Sequence, residues 1–486
     1  MNNGETALTL PAPASMVPPR WALPDHPSGA IPWILPEEMS MAGWRTLGIL
    51  AITLALPPLA AAQTPTYPLS ESLKNGDCFH IKLGMKLNGE WKVQRDDAQV
   101  PLQLAANAAH DFAERVLAVT PAGSAAKCAR YYHQARAAIT AGGKSSERTL
   151  RAEQRLVVAQ WHKDQLYTFC PDGPLTRDEV ETLEHFDTLH IPGLLPGKAV
   201  GIGETWKLAN VVAQGLCGFD ALIEQDLAAK LTAVNGDQAQ ISVTGTASGI
   251  NVGAQAKLTV AASAVYDLKA KRVVSVEWKQ KDERDQGPAS PATAVEVAWT
   301  VSRTALEREP NELNDYALVN AKVPDGDGAP PDACLQLLIR DARDRFQLNF
   351  ARDWHTTSQT AEHVILRLME RGDWVAQATI TPWAKAEAGK HMTSDEFKQK
   401  IDDMPGWEAE EVLEDAELKT REGYWGWRVS ALGEMDGLKV LQNFYVVAGP
   451  DGGQVVIAVT LRPALAQKLG TRDLELVDGV TFSKPK

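Results

Sequence analysis

The chain has 486 residues, 44% apolar and 23% charged, enough to form two or three globular cores. Its formal charge is −13, of which residues 1–62 carry −2 (Arg20 and Arg45 against Glu5, Asp25, Glu37 and Glu38), leaving −11 on the rest. An acidic surface repels phosphate backbones and anionic lipid, so nucleic acid is excluded as the main partner.

Residues 1–40 hold eight prolines, no periodicity, and an isolated Trp21 and Trp33. They are expected to be a disordered extension or a stretch ahead of the true start, since Met39 and Met41 precede the next feature. Residues 41–62 have the three parts of a secretory signal: Arg45, a charge-free run over 47–56, and Ala60-Ala61-Ala62 before Gln63. Cleavage is expected between Ala62 and Gln63. A membrane anchor is the rival, but the run is about ten residues against the ~20 a spanning helix needs, and Pro57-Pro58 interrupts it. No Cys follows the run to carry a lipid anchor.

Residues 63–306 form the first expected domain, β-rich and alternating, with turn punctuation. The pattern predicts a strand over 78–87, a hairpin turn at Asn88-Gly89 and a return over 91–95. Strands are also expected within 100–119, and a hairpin about His162-Lys163-Asp164. One helix is predicted over 177–189, with Thr176 and Glu179 as a capping box and Pro192-Gly193 as its stop. A strand over 207–212, a helix over 219–230 and a meander of strands to residue 303 complete this part. Long antiparallel strands of this kind must roll into a barrel, half-barrel or sandwich to hide one face. The charged, proline-bearing stretch 281–291 is expected to be a solvated loop.

Residues 307–333 are polar and rich in Pro and Gly, as a linker is. Asp325 and Asp327 flank Gly326 but lack the spacing of a calcium loop. Residues 334–486 form the last expected domain, with strands over 345–350, 364–369, 374–383, 408–413, 424–432, 438–447 and 454–460. A helix over 393–400 is capped by Thr393 or Ser394. The fold class is therefore α+β: mostly antiparallel β, a meander or half-barrel followed by an antiparallel sheet with packed helices.

The order FQLNFARDW, WVAQATITPW, TSDEFKQKI, GYWGWRVSAL and KVLQNFYVVAGPDGGQVVIAVT resembles the PsbP-like fold over about 150 residues. The resemblance implies an antiparallel sheet with helices on its faces, and binding or assembly roles without catalytic residues. Gly203-Glu204-Thr205-Trp206, ahead of the meander, is similar to exported all-β domains. Among these, the LolA-like carriers hold a lipid in a half-barrel.

Five cysteines remain. In an exported chain Cys78, Cys128, Cys170 and Cys217 allow two disulfides in three connectivities, with Cys334 left over; a reduced, buried set is the alternative. No CxxC pair, dinucleotide loop, Walker loop, nucleophile elbow or His-Glu-x-x-His occurs. His185, Asp187 and His190 lie close in sequence, but a helix would set the two imidazoles about 140° apart, which predicts surface histidines rather than ligands. Cys78 and His80 share one face of a strand, the arrangement of an activated thiol, though a disulfide or packed pair fits an exported protein better. Trp425 and Trp427 are two apart on a strand and face one side; paired rings there would stack on a sugar, grip a hydrophobic partner, or pack as core. The acidic run from Glu408 to Glu417 is expected to be a solvated edge.

No cofactor or metal site is expected. The expectation is a non-enzymatic protein, exported to the periplasm or beyond, that binds a protein or a small hydrophobic or sugar ligand, with no transmembrane segment after cleavage. The alternatives are a lipid carrier using the first domain, and an unrecognised hydrolase.

Overall fold

In a computed structural model of the chain, the described residues are 65–95, 98–121, 123–163, 165–326, 328–370 and 372–482. The signal segment with Ala62 and Gln63, and the extension before it, lie outside them. The fold is mostly antiparallel β, in several sheets, none of them closed.

The chain enters through β1 (Thr66–Leu69), then runs the long strands β2 (Cys78–Arg95), β3 (Ala98–Val119) and β4 (Ala125–Ala141). The short strands β5 (Lys144–Thr149), β6 (Leu156–His162) and β7 (Gln165–Phe169) follow. After helix α1 (Arg177–Leu183) come β8 (Lys198–Gly201), β9 (Thr205–Lys207) and helix α2 (Asn210–Cys217). The meander is β10 (Ala221–Gln225), β11 (Ala228–Asn235), β12 (Gln238–Asn251), β13 (Ala254–Asp267), β14 (Arg272–Arg284) and β15 (Ala292–Ala305). Most of these join one thirteen-stranded sheet ordered β7-β6-β4-β3-β2-β15-β14-β13-β12-β11-β9, while β1 pairs with β8.

Several local expectations change. Asn88-Gly89 is not a turn: β2 runs straight through it, with Gly89 opposite Leu104 on β3 and Val295 on β15. Glycine is required there because a Cβ would collide with Ala294 O as β15 passes. Strands β2 and β3 stay paired as far as Arg95 and Ala98. The capping box at Thr176 and Glu179 forms, with Thr176 N donating to Glu179 Oε2 (2.8 Å), but the helix stops at Leu183 rather than 189. The expected strand at 207–212 ends at Lys207 and continues as α2, which closes on Gly218 at φ 70°. The expected helix at 219–230 is instead β10 and β11, because Leu227, Ala229 and Leu231 bury at a period of two.

Residues 307–328 are not a loose linker. Helix α3 (Asp315–Asn320) and the turn before it bury Leu313 and Leu318 on Ala113, Ala129 and Leu156, forming a strap across one face of the sheet. Arg115 donates to Leu313 O (2.8 Å) and pairs with Glu309 and Asp315; Lys127 donates to Pro324 O and Gly326 O, and Gln160 to Gly328 O.

Helix α4 (Asp332–Leu335) leads to β16 (Leu337–Arg340), β17 (Gln347–Phe350), β18 (Trp354–Gln359), β19 (Val364–Glu370) and β20 (Asp373–Pro382). Helix α5 (Ser394–Asp402), capped by the Thr393–Glu396 box, precedes β21 (Trp407–Lys419), β22 (Trp425–Met435), β23 (Leu438–Ala448) and β24 (Gln454–Leu461). Helices α6 (Ala466–Leu469) and α7 (Arg472–Asp478) and strand β25 (Val480–Thr481) end the described chain. A seven-stranded sheet runs β18-β19-β20-β24-β23-β22-β21, and β16-β17-β25 form a small third sheet. One apolar core passes from Leu69 to Phe482 through all of these, so the two β-rich blocks share an interior. Leu338 N donates to Leu175 O (2.9 Å) and Arg352 to Thr168 O (2.7 Å) where they meet.

Candidate functional site

The register assigns the inner face of the large sheet residue by residue. Phe79 stands opposite Glu114 and Glu114 opposite Arg130; Ile81 stands opposite Phe112, and Phe112 opposite Tyr132. Apart from β9, which pairs with β11 in the sheet itself, the insertion over 176–219 packs on this face. Phe186 packs 5.5 Å from Trp278 and 6.4 Å from Trp299, a directly paired couple on β14 and β15.

Where this insertion meets the sheet, a polar cluster is buried. The chain leaves the helix at Glu184, so His185, Asp187, Thr188 and His190 turn inward instead of lying on a helix flank, each at most 9% exposed. The expectation of surface histidines is thereby corrected: once the helix has ended, the 140° separation no longer applies. Asp187 Oδ2 sits 2.5 Å from His190 Nδ1 and accepts from Trp161 Nε1 (2.9 Å), while Asp187 Oδ1 accepts from Leu189 N (2.9 Å). Gly215 on α2 backs onto this pair; a Cβ there would lie 2.7 Å from His190 Nδ1.

A second layer lies beside it. Arg130 Nε donates to Glu114 Oε2 (2.9 Å), Arg130 Nη2 to Thr188 Oγ1 (2.8 Å), and Thr188 Oγ1 back to Glu114 Oε2 (2.9 Å), a closed ring of charge-assisted bonds. His185 Nδ1 donates to Phe186 O (2.9 Å), so its Nε2 accepts from the Tyr132 hydroxyl (2.8 Å). His110 Nε2 donates to Thr182 O (2.7 Å), and its Nδ1 has no partner among the described residues. The His110 and His185 rings are 4.8 Å apart.

Burial is the main cause of the shifted pKa values here. It drives His110 down to about 4 and His185 well below the ordinary histidine value, with Arg130 adding to both. Burial pushes Tyr132 up to about 12. Burial alone would raise Asp187, but the His190 charge and hydrogen bond bring it below the usual carboxylate range. The groups bind one another and pin the insertion to the sheet. Among the described residues no group of three or more His, Cys, Asp or Glu side chains is placed to hold a metal.

The cysteines are all free. The expected disulfides among Cys78, Cys128, Cys170 and Cys217 are absent for a geometric reason that the register supplies for three of them. Cys78 pairs with Arg115 and Cys128 with the neighbouring Val116, so β3 lies between them and holds their backbones about 10 Å apart, beyond disulfide reach. Strand β6 separates Cys128 from the β7 end that carries Cys170 in the same way. His80 bonds Asp111 (2.6 Å) rather than Cys78, whose thiol donates to Gly76 O (3.3 Å) and is raised by burial.

Trp425 and Trp427 do share a face, with ring centroids 6.5 Å apart. His391, from the loop before α5, stacks on Trp425 at 3.7 Å, and Trp427 Nε1 donates to Asp415 Oδ1 (2.6 Å). The result is a ladder of three rings, two half-buried indoles at the margin of the α5 core and the exposed His391 stacked outside them. His391 carries no sequence signal, because its contact depends on where a loop returns.

Among the described residues there are four apolar clusters, and three of them pack against an identified covering element. The main core is covered by the insertion, the cluster around Phe444 by α5, and the one around Ala129 by the strap. The fourth lies on the inner face beyond the insertion and joins Leu104, Val295 and Val297 to half-buried Leu87, Trp91 and Ile139. Among the described residues its members come only from β2, β3, β4 and β15.

No family model and no curated protein matches the chain. Among solved structures, it is similar to the cyanobacterial PsbP of Synechocystis at 10% identity and a TM-score of 0.25, covering 33% of this chain and 99% of that one. A Bacteroides thetaiotaomicron protein aligns at 12% identity over 31% of this chain and 48% of its own, with a TM-score of 0.23. A Pseudomonas aeruginosa protein of unknown function, described as a regulator candidate, aligns at 13% over 31% and 99%, with a TM-score of 0.22. Scores of this size carry no argument for this chain.

Proposed function

We propose that this is an exported, non-enzymatic protein that binds a hydrophobic ligand or partner at the cell envelope, along the apolar strip on the inner face of its longest strands. The observation that carries the reading is the fourth cluster. Strands β2, β3, β4 and β15 gather buried Leu104, Val295 and Val297 with half-buried Leu87, Trp91 and Ile139 on one side, and no other element of the described chain joins that cluster. Apolar surface of this kind gains roughly 25 cal/mol per Å² when an apolar partner displaces water.

Export rests on the segment from Arg45 to Ala62, and N-terminal sequencing of protein from its own host tests it; an intact Met1 overturns it. For the block from Cys334 onward, the PsbP-like reading is supported by element order: β17, Trp354 opening β18, the β19–β20 hairpin, α5, then β21 to β24.

A lipid carrier is the form of this reading in which the ligand is an acyl chain. The insertion occupies the inner face at Trp278 and Trp299, so the chain would lie beyond Trp299. Native mass spectrometry of host-purified protein, together with a pull-down, separates the forms: a retained lipid supports the carrier, and a captured protein the partner. Replacement Val297→Asp is expected to abolish either. If nothing is retained or captured, or if Val297→Asp leaves binding intact, the reading fails.

A further inference from the structure

Sheet edges in this molecule are short, with one exception. The large sheet ends in β7 and β9, of five and three residues, and β5 and β10 at its flanks have six and five. The seven-stranded sheet ends on one side in β18, six residues long. Short edges offer too few backbone groups for another chain to pair with, which is one way proteins blunt them. The other end of that sheet is β21, thirteen residues long and paired only with β22. At ~3.3 Å per residue it presents about 40 Å of edge.

From Glu408 to Asp415 every side chain of β21 is exposed, on both faces, so the strand overhangs the core instead of closing against it. Val412 and Leu413 stand 59% and 51% exposed near its centre. Glu410, Glu414 and Asp415 are paired with Lys439, Arg428 and Lys398, whereas Glu408, Glu411 and Glu417 form no ion pair among the described residues. Two bulges, at Glu410 and Leu413, break the register with β22. Charge and bulges together prevent one copy of β21 from pairing with another, since that would set acid against acid. They do not repel a strand of the opposite charge.

We infer that the β21 edge is a docking site for an extended, basic segment of a partner protein, which adds as an eighth strand. Backbone hydrogen bonds along the edge supply the attachment, Val412 and Leu413 an apolar contact, and Glu408, Glu411 and Glu417 the selection for Lys or Arg. This surface is separate from the apolar strip, and the inference stands whether or not that strip binds a ligand.

The test is fluorescence anisotropy with the full chain and a labelled twelve-residue peptide alternating Lys with Val and Thr. The peptide is expected to bind and to protect β21 amides from hydrogen exchange. Methylating its alternate backbone nitrogens is expected to weaken binding at least tenfold, as is an acidic version of the peptide. The triple variant Glu408→Lys, Glu411→Lys, Glu417→Lys should reverse the preference between basic and acidic peptides. Binding that survives backbone methylation would be charge attraction alone and would overturn the inference. So would protection that maps away from β21, or an absence of binding.

Discussion

The two ends of the inner face solve the same problem differently. Toward the insertion, the sheet meets a second layer of chain, and the contact is built from charges and imidazoles locked in a closed network. Beyond Trp299, β2, β3, β4 and β15 bring buried Leu104, Val295 and Val297 together with half-buried Leu87, Trp91 and Ile139. A buried polar network specifies a single docking arrangement, because each unpartnered group is costly. An apolar strip accepts whatever fits its width. The covered end therefore reads as structure and the uncovered end as a surface for exchange.

This contrast breaks most directly at Arg130. Replacing it with Ala leaves Glu114 buried and unpaired, and the expected loss is about 3–5 kcal/mol in urea unfolding. A loss below ~1 kcal/mol would mean that the network does not hold the insertion.

Acid tests the same end next. His110 and His185 have folded-state pKa values below the unfolded value, so the folded protein resists protonation that the unfolded chain accepts. The contribution of His110 is complete above about pH 6.5 and is lost as pH falls through about 4, and His185 acts in the same direction. For His110 alone the shift corresponds to roughly 3 kcal/mol. Urea denaturation of the wild type and His110→Gln at pH 7 and pH 4.5 isolates it: the wild type should lose more stability than the variant over that interval. Equal losses would show that the histidine is not held neutral by the fold.

How much of this was legible in the sequence follows from the range of the interactions. The capping box at Thr176, a helix cap at Thr393 or Ser394, the pairing of β6 with β7 about His162, and the shared face of Trp425 and Trp427 depend on neighbours two to four residues away and were readable, though the choice of Thr393 and its box with Glu396 were not. The turn expected at Asn88-Gly89 failed because pairing with Leu104 and Val295 overrides local turn preference. The helix expected to reach Leu189 ended early because burying His185 and Asp187 against β3, β4 and β6 outweighs six more residues of helix. The strap was hidden by its composition: a proline- and glycine-rich segment looks like a linker until Leu313 and Leu318 find a sheet face. Within the polar cluster, His185, Asp187 and His190 were noticed together and assigned to the surface. Tyr132, which bonds His185, and the Glu114–Arg130 pair, which bonds Thr188, lie more than fifty residues away and gave no signal.

A smaller effect sharpens the seat of the Asp187–His190 pair. Gly215→Ala brings a Cβ to 2.7 Å from His190 Nδ1 and 2.9 Å from Asp187 Oδ2, so α2 or the pair must shift. The expected cost is about 1–3 kcal/mol, seen as a lowered thermal midpoint.

The smallest expected effect lies at the uncovered end, and it decides whether that end is structure after all. Leu87 is half-buried, and among the described residues its apolar cluster is made of side chains from its own sheet. Full burial of a leucine is worth roughly 1.5–3 kcal/mol, so Leu87→Ala should cost about 1 kcal/mol or less in the free protein. A loss near the 2–5 kcal/mol of a core leucine would mean that the strip is already packed. The uncovered end would then be a second core, and the two halves of the inner face would differ in chemistry but not in role. A small loss leaves the exposed part of Leu87 free to be covered by a bound molecule, which is the condition for binding something there.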